Sequence, residues 1–324
     1  MTLALVPLFG LVGAAIGQLT LHIVGRSILL AGVRRTAPWF RATPRRPRRD
    51  SLRAVTRFSL PLLVSSIATQ LGIGTDILVV GAIVGPAAAG YVALGVRIPA
   101  FALGVVVVAL DVAFPWLVRR AQGNRPVDVR SAGRLIESAS IFGVTIFGYL
   151  AIHAAAILLV WVGSIDTITL SFFIVYCLIW TVHMPARVLN LILTANDAHH
   201  RVPALVVGEH LFNFGCSIVL VTVIGPVGAA VSTLLAIVVS NGIGFPLLAR
   251  SRLGMGLLPQ ARAAVLGGMV GIGAVAVGEI AGRVAQQAPW VELAVAGTVS
   301  LGVAALGQSI ISGRRASPAL VADV

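Results

Sequence analysis

The sequence predicts an all-α polytopic membrane protein of about nine transmembrane helices. Three observations carry that class. The 324 residues are 58% hydrophobic and only 11% charged, with a mean hydropathy of +0.99, whereas a soluble domain carries roughly 25% charged residues. The apolar runs are long enough to cross a hydrocarbon core of ~30 Å, which takes about 20 helical residues. The basic residues, all 24 of them Arg, gather in every second loop.

The stretch from Leu71 to Arg120 sets the pattern. Two apolar runs are joined by the turn Gly85-Pro86-Ala87-Ala88-Ala89-Gly90, and Asp76, Arg97 and Asp111 lie inside them. No water is available at hydrocarbon depth, so such charges must face a neighbouring helix or a cavity. The whole chain divides into spans at roughly 3–25, 58–82, 91–117, 136–162, 168–193, 203–223, 227–248, 263–285 and 290–311. Residues 26–57 hold ten Arg, and residues 119–134 hold Arg119, Arg120, Arg125, Arg130 and Arg134. Arg201, then Arg250, Arg252 and Arg262, then Arg314 and Arg315 continue the alternation; the opposite loops are short and hold only Arg283. By the positive-inside rule the N-terminus is external and the C-terminus cytoplasmic. The same rule accounts for the net charge of +13 without nucleic acid as a partner.

Several features carry little chemistry. The N-terminus lacks the basic region and cleavage pattern of a secretory signal. Cys177 and Cys216 both sit in apolar runs, which suits neither a disulfide nor a redox pair. His199-His200 with Asp197 falls in a cytoplasmic loop; a metal site needs more ligands, so solvated histidines are expected there. His22 and His153 are isolated. No catalytic, metal or cofactor-binding constellation is present in the sequence. The external loops are too short to carry the chemistry of a glycan polymerase or ligase.

An internal match links the two ends of the chain. Residues Gly10-Leu11-Val12-Gly13-Ala14-Ala15-Ile16 parallel Gly225-Pro226-Val227-Gly228-Ala229-Ala230-Val231, 215 residues later. A repeat within a carrier explains it, and so would two Gly/Ala packing faces. The segment 31–57 reads as an Arg-rich cytoplasmic linker. Trp39 and Phe40 within it suit the headgroup region, and its Arg run would attract anionic lipid.

These residues resemble a known family. Phe58-Ser59-Leu60-Pro61, Asp76, Gly81, Gly90-Tyr91, Arg97 and Pro115 are similar to the start of the second lobe in the multidrug/oligosaccharidyl-lipid/polysaccharide flippase superfamily. Ile192-Leu193-Thr194-Ala195-Asn196-Asp197, Asn213, Gly225, Gly228-Ala229-Ala230 and Thr233 are similar to the end of that lobe. Wzx-type polysaccharide flippases and lipid II flippases look most alike, over about residues 3–250. The resemblance implies that residues 1–30 correspond to the last helix of a first lobe and residues 58–250 to a six-helix second lobe. Residues 251–312 would then be two additional helices and residues 313–324 a cytoplasmic tail. Such carriers normally have two six-span lobes, so the resemblance also implies an N-terminally shortened form, or a half that pairs with a chain supplying the first lobe. The implied activity is flipping of a polyprenyl-diphosphate-linked glycan across the plasma membrane by alternating access; the alternatives are a drug/cation antiporter of the same fold and a non-transporting fragment that pairs with another chain.

That cargo demands cations at depth, aromatic faces for sugar rings and exchangeable hydrogen bonds. Tyr176, Trp180, His183, Arg187 and Asn190 fall on one helical stripe, readable as a sugar- and phosphate-contacting wall or as packing with Arg187 snorkelling to headgroups. Arg97 lies about two turns in from the external end, and the resemblance makes it a cavity cation; a salt bridge to Asp76 is the competing role. Arg97 and Asp111 are fourteen residues apart, so they share a face ~21 Å apart and cannot pair directly. Ser65, Thr69, Gly72 and Asp76 form a polar stripe. Asp76 is a coupling site or the partner of Arg97, and Glu209, which shares a face with Asn213 and Ser217, is a proton site or an interhelical hydrogen-bond acceptor. Gly267-Gly268, Gly271, Gly278 and Gly282 read as close helix packing.

Overall fold

The computed structural model describes residues 2–36, 48–112, 114–122, 129–285 and 289–314. Among them there are helices and no strand, and nine of the helical stretches are long and apolar enough to cross a membrane. The chain is a multi-pass membrane protein. Trp39, Phe40, Arg45, Arg46, Arg125, Arg315 and the rest of the tail lie outside the described residues.

Two compact units are formed, Met1–Ala54 and Val55–Val324. The first is dominated by α1 (Thr2–Thr36), which kinks at Gly10, where φ is 57° and ψ −135°. Its apolar span covers Ala15–Thr36, later in the chain than the 3–25 expected. Arg34 and Arg35 close its last turn, where cations complement the helix dipole, so the helix runs into what reads in sequence as linker. Gly225, the match of Gly10, has φ 76° and ψ −163°. The two glycines of the internal match thus share a positive-φ backbone.

α2 (Arg49–Ile73) begins in the first unit and runs into the second. It is followed by α3 (Thr75–Ile83), α4 (Pro86–Asp111), α5 (Phe114–Gln122), α6 (Val129–Ile152), α7 (Ala154–Val162), α8 (Thr167–Ala195), α9 (Val202–Ile224), α10 (Val227–Ile237), α11 (Phe245–Leu253), α12 (Leu257–Ala285) and α13 (Pro289–Arg314). Pro86 stands in the first turn of α4, where its missing N–H costs nothing. Asp166 caps α8, accepting from the Ile168 and Thr169 amides at 2.8 and 3.1 Å. Gly163 and Gly254 end α7 and α11 in the left-handed conformation. Three expected spans are interrupted. The second breaks at Gly74 between α2 and α3, and the third stops at Asp111 before the amphipathic α5. The fourth breaks at His153 between α6 and α7. The seventh is continuous but carries a π-helical segment, Val238–Gly244, between α10 and α11.

The centre of the second unit is α8, packed by α4, α6, α10 and α11. Phe172, Phe173, Ile179, Met184, Ile192 and Leu193 on it are fully buried. Burial of apolar surface drives little inside a bilayer, so close approach at small residues matters more. A Cβ added at Gly95 of α4 would lie 2.5 Å from the Thr169 carbonyl of α8. The predicted small-residue positions of α12 serve the same end on two sides. Gly267 and Gly271 sit against Glu137 and Ile141 of α6, and Gly278 and Gly282 against Ala296 and Glu292 of α13. Tyr149 of α6 donates to the Leu293 carbonyl at 2.5 Å, and His153 meets Glu279 of α12 at 2.6 Å. His153, isolated in sequence, is therefore a tie between these helices. Outward faces are apolar: Leu78, Phe101, Val108, Val160, Val223 and Leu258 are exposed, as hydrocarbon-facing positions should be.

Candidate functional site

Among the described residues the most buried carboxyl is that of Asp76, in the first turn of α3 and 1% exposed. Its carboxylate gathers donors from three other helices. Tyr176 of α8 donates to Oδ2 at 2.7 Å. Thr233 of α10 reaches the two oxygens at 3.0 and 2.8 Å, and Asn213 Nδ2 of α9 lies 3.5 Å from Oδ1. Behind them Ser217 and Ser232 close on the Asn213 side chain at 3.2 and 2.5 Å. No cation pairs with Asp76 among the described residues. A buried carboxylate is stable only when its lone pairs are satisfied, and here hydroxyl and amide groups do that. The cluster presents hard oxygen ligands, the type that suits a small alkali or alkaline-earth ion; among the described residues no group of three or more His, Cys, Asp or Glu could hold a metal ion.

This arrangement corrects the sequence reading twice. Asp76 is not the partner of Arg97. Tyr176 is not an open sugar-contacting wall, because it is 6% exposed and its hydroxyl is engaged with Asp76. The aromatic stripe exists, with Phe172, Tyr176, Trp180 and His183 ring centroids 6.2, 5.9 and 5.7 Å apart in succession. It lies on the helix that α4, α6, α10 and α11 pack around, so it faces protein more than a wide cleft.

Arg97 and Asp111 lie on α4. The buried stripe of that helix is Ala88, Val92, Gly95, Pro99 and Val106. Arg97 is exposed and sits on the opposite side, since residues two away from Gly95 and Pro99 point backwards on a 3.6-residue turn. Ala93, Ala100, Gly104 and Asp111 share its stripe, at offsets of −4, +3, +7 and +14. Bulky apolar residues share that exposed side, since Val108, Phe101, Val112 and Val105 are all exposed and lie within about 20–80° of Arg97 around the helix. The exposed side of the helix therefore carries Arg97, Asp111, small residues and bulky apolar residues together. Arg97 makes no ion pair or hydrogen bond among the described residues. Asp111, at the far end, accepts from Arg187 of α8 at 2.6 Å, with the two side chains 48% and 25% exposed. Arg187 is thus tied to a carboxylate rather than reaching headgroups alone.

Glu209 of α9 meets Ser240 and Asn241 of the π-helical segment. The interhelical bond expected of Glu209 is present, with partners the sequence did not mark. Ser232, Ser240 and Asn241 were all missed. The available signal was the run Ser240-Asn241-Gly242-Ile243-Gly244-Phe245-Pro246, too polar and Gly-rich for a plain span. A further correction concerns His199, expected to be solvated: it is fully buried, its ring 4.8 Å from that of Phe58 and Nε2 3.2 Å from the Phe58 carbonyl. His200 is exposed, as expected. Cys177 and Cys216 are both free.

Residues 1–120 match the family model described as "Polysaccharide biosynthesis protein". That stretch contains Asp76, Arg97 and Asp111. No curated protein and no solved structure gives a significant match.

Proposed function

We propose that this chain moves a polyprenyl-diphosphate-linked oligosaccharide or polysaccharide precursor from the cytoplasmic to the external leaflet by alternating access. The observation that carries the proposal is the charged small-residue stripe of α4. It bears one unpaired guanidinium, Arg97, and ends ~21 Å away at Asp111 and its partner Arg187. That distance is about two-thirds of a ~30 Å hydrocarbon core. A lone guanidinium at such depth is costly against lipid and marks an anion path by default. Ala93, Ala100 and Gly104 place small side chains around Arg97, with Val108 on the same side of the helix between it and Asp111. An incoming diphosphate would compete with Asp111 for the planar fork of Arg187, then meet Arg97 further along. The match to a polysaccharide biosynthesis family agrees with that cargo.

In this reading Asp76 with Asn213, Thr233 and Tyr176 is the coupling site. Moving a cation or proton onto the carboxylate would rearrange donors from three helices together. The same uncompensated carboxylate favours a second reading, a drug/cation antiporter. Reconstituting the full chain with a fluorescent lipid-linked oligosaccharide separates the two. Arg97→Ala should lower flipping at least tenfold with insertion unchanged. Unaltered flipping together with lost extrusion of a cationic dye would sink the flippase and leave the antiporter.

A further inference from the structure

A second carboxyl lies among the spans with no cation beside it. Glu209 sits on α9 one turn before Asn213, and its Oε2 receives Ser240 Oγ and, at 3.0 Å, Asn241 Nδ2. Asn241 Nδ2 also lies 2.7 Å from Ser240 Oγ. Ser240 and Asn241 are consecutive residues, which a regular α-helix would turn 100° apart. The π-helical widening over Val238–Gly244 lets both reach one oxygen, and π-bulges recur at functional sites.

Behind Asn241 stands His183 of α8. The amide approaches the ring, but neither buried Asn241 Oδ1 nor buried His183 Nδ1 completes a hydrogen bond of good geometry. Trp180 Nε1, Arg187 Nε and Asn190 Oδ1 are in the same condition. Asn241 is itself only 4% exposed. Four of these five orphaned atoms lie on one stripe of α8 over about 15 Å, and the fifth faces it. Buried polar atoms are rarely left bare; where protein offers no partner, ordered water does.

We propose that Glu209 is a proton-exchange site, served by a file of internal water seated on Asn241, His183 and Trp180 and leading toward Asp76. The step is balanced. The carboxylate takes H⁺ from a hydronium, leaving water and a carboxylic acid, and returns it to the next water of the file. The titratable and charged groups around it are His183 and Arg187 on α8, His210 on α9, and Asp76 of α3 beyond Asn213; Arg187 is engaged with Asp111. The π-helical segment contributes only neutral groups. The use of those protons in transport rests on the flippase reading above; their exchange at Glu209 does not.

Infrared difference spectroscopy of the full chain in lipid nanodiscs tests the exchange directly. The wild type should show a protonated-carboxyl stretch that shifts in D₂O and varies with pH. That band should vanish in Glu209→Gln and persist in Asp76→Asn. Asn241→Leu, which keeps the carboxyl but removes both its Nδ2 donor and the water-holding Oδ1, should slow its exchange at least tenfold. Thermal unfolding identifies any variant that has lost its fold, and Glu209→Asp then stands in for Glu209→Gln, moving the band instead of deleting it. A wild-type spectrum unchanged by Glu209→Gln, or exchange unaffected by Asn241→Leu, overturns the proposal. Glycan flipping that fails in the wild type while the band exchanges normally removes the transport reading and leaves this one standing.

Discussion

Replacing Arg187 by Ala should separate stability from transport, and the geometry fixes how far. The guanidinium donates to Asp111 at 2.6 Å, but the two side chains are 25% and 48% exposed. A partly exposed pair contributes about 0–1 kcal/mol. Breaking a fully enclosed pair would cost about 3–5 kcal/mol. A charge-assisted bond to a phosphate in a dry path is worth roughly 1.5–3 kcal/mol, or about 10–150-fold in rate. Arg187→Ala should therefore change unfolding stability in detergent by less than about 1 kcal/mol, from the pair's partial exposure. It should also slow flipping of a lipid-linked oligosaccharide in proteoliposomes by roughly 10–150-fold. Asp111→Asn should leave both stability and flipping near wild type, since it frees the cation. The double change Asp111→Arg with Arg187→Asp keeps an ion pair but moves the cation to α4, and should not restore flipping. Recovery of the rate by that swap, or a loss of several kcal/mol in Arg187→Ala alone, would show that the pair is structural and the anion path is misassigned.

Three further outcomes follow from the packing. Gly278→Val should destabilise by about 1–3 kcal/mol through overpacking, because a Cβ there meets Ser300 and the Ala296 carbonyl. Gly273→Ala in the same helix meets nothing within 4 Å and should stabilise by about 0.5–1 kcal/mol; equal effects in thermal unfolding would contradict the α12–α13 interface. Tyr176→Phe should cost roughly 0.6–2 kcal/mol, the range for hydrogen bonds among membrane helices and to charged groups; an unfolding curve unchanged from wild type would remove Tyr176 as a donor to Asp76. Gly225→Ala should cost about 1–3 kcal/mol from backbone strain, read against Gly208→Ala in α9, whose added Cβ meets nothing within 4 Å; matching curves for the two would contradict the positive-φ turn.

The number of spans was readable because hydropathy belongs to consecutive residues, and twenty of them either suit a hydrocarbon slab or do not. Helix breaks at Gly74 and His153 were less legible, because neither residue forbids a helix and the neighbours decide. The small-residue positions of α12 announced close packing, yet not that Gly267 and Gly271 serve α6 while Gly278 and Gly282 serve α13.

The site divides in the same way. Periodicity correctly put Tyr176, Trp180, His183, Arg187 and Asn190 on one stripe, and Arg97 with Asp111 on another. What faces each stripe was beyond it. Asp76 had Arg97 as its natural partner by charge, and instead took Tyr176, Thr233 and Asn213. Ser240 and Asn241 reach Glu209 from a segment where the helix widens locally. The chain by itself thus determined which segments cross the membrane and which residues share a helical face, since both are set by local covalent spacing and transfer energy. The tertiary structure alone decided which carboxylate meets which donor, because a helix rotates freely about its axis until its neighbours fix the angle.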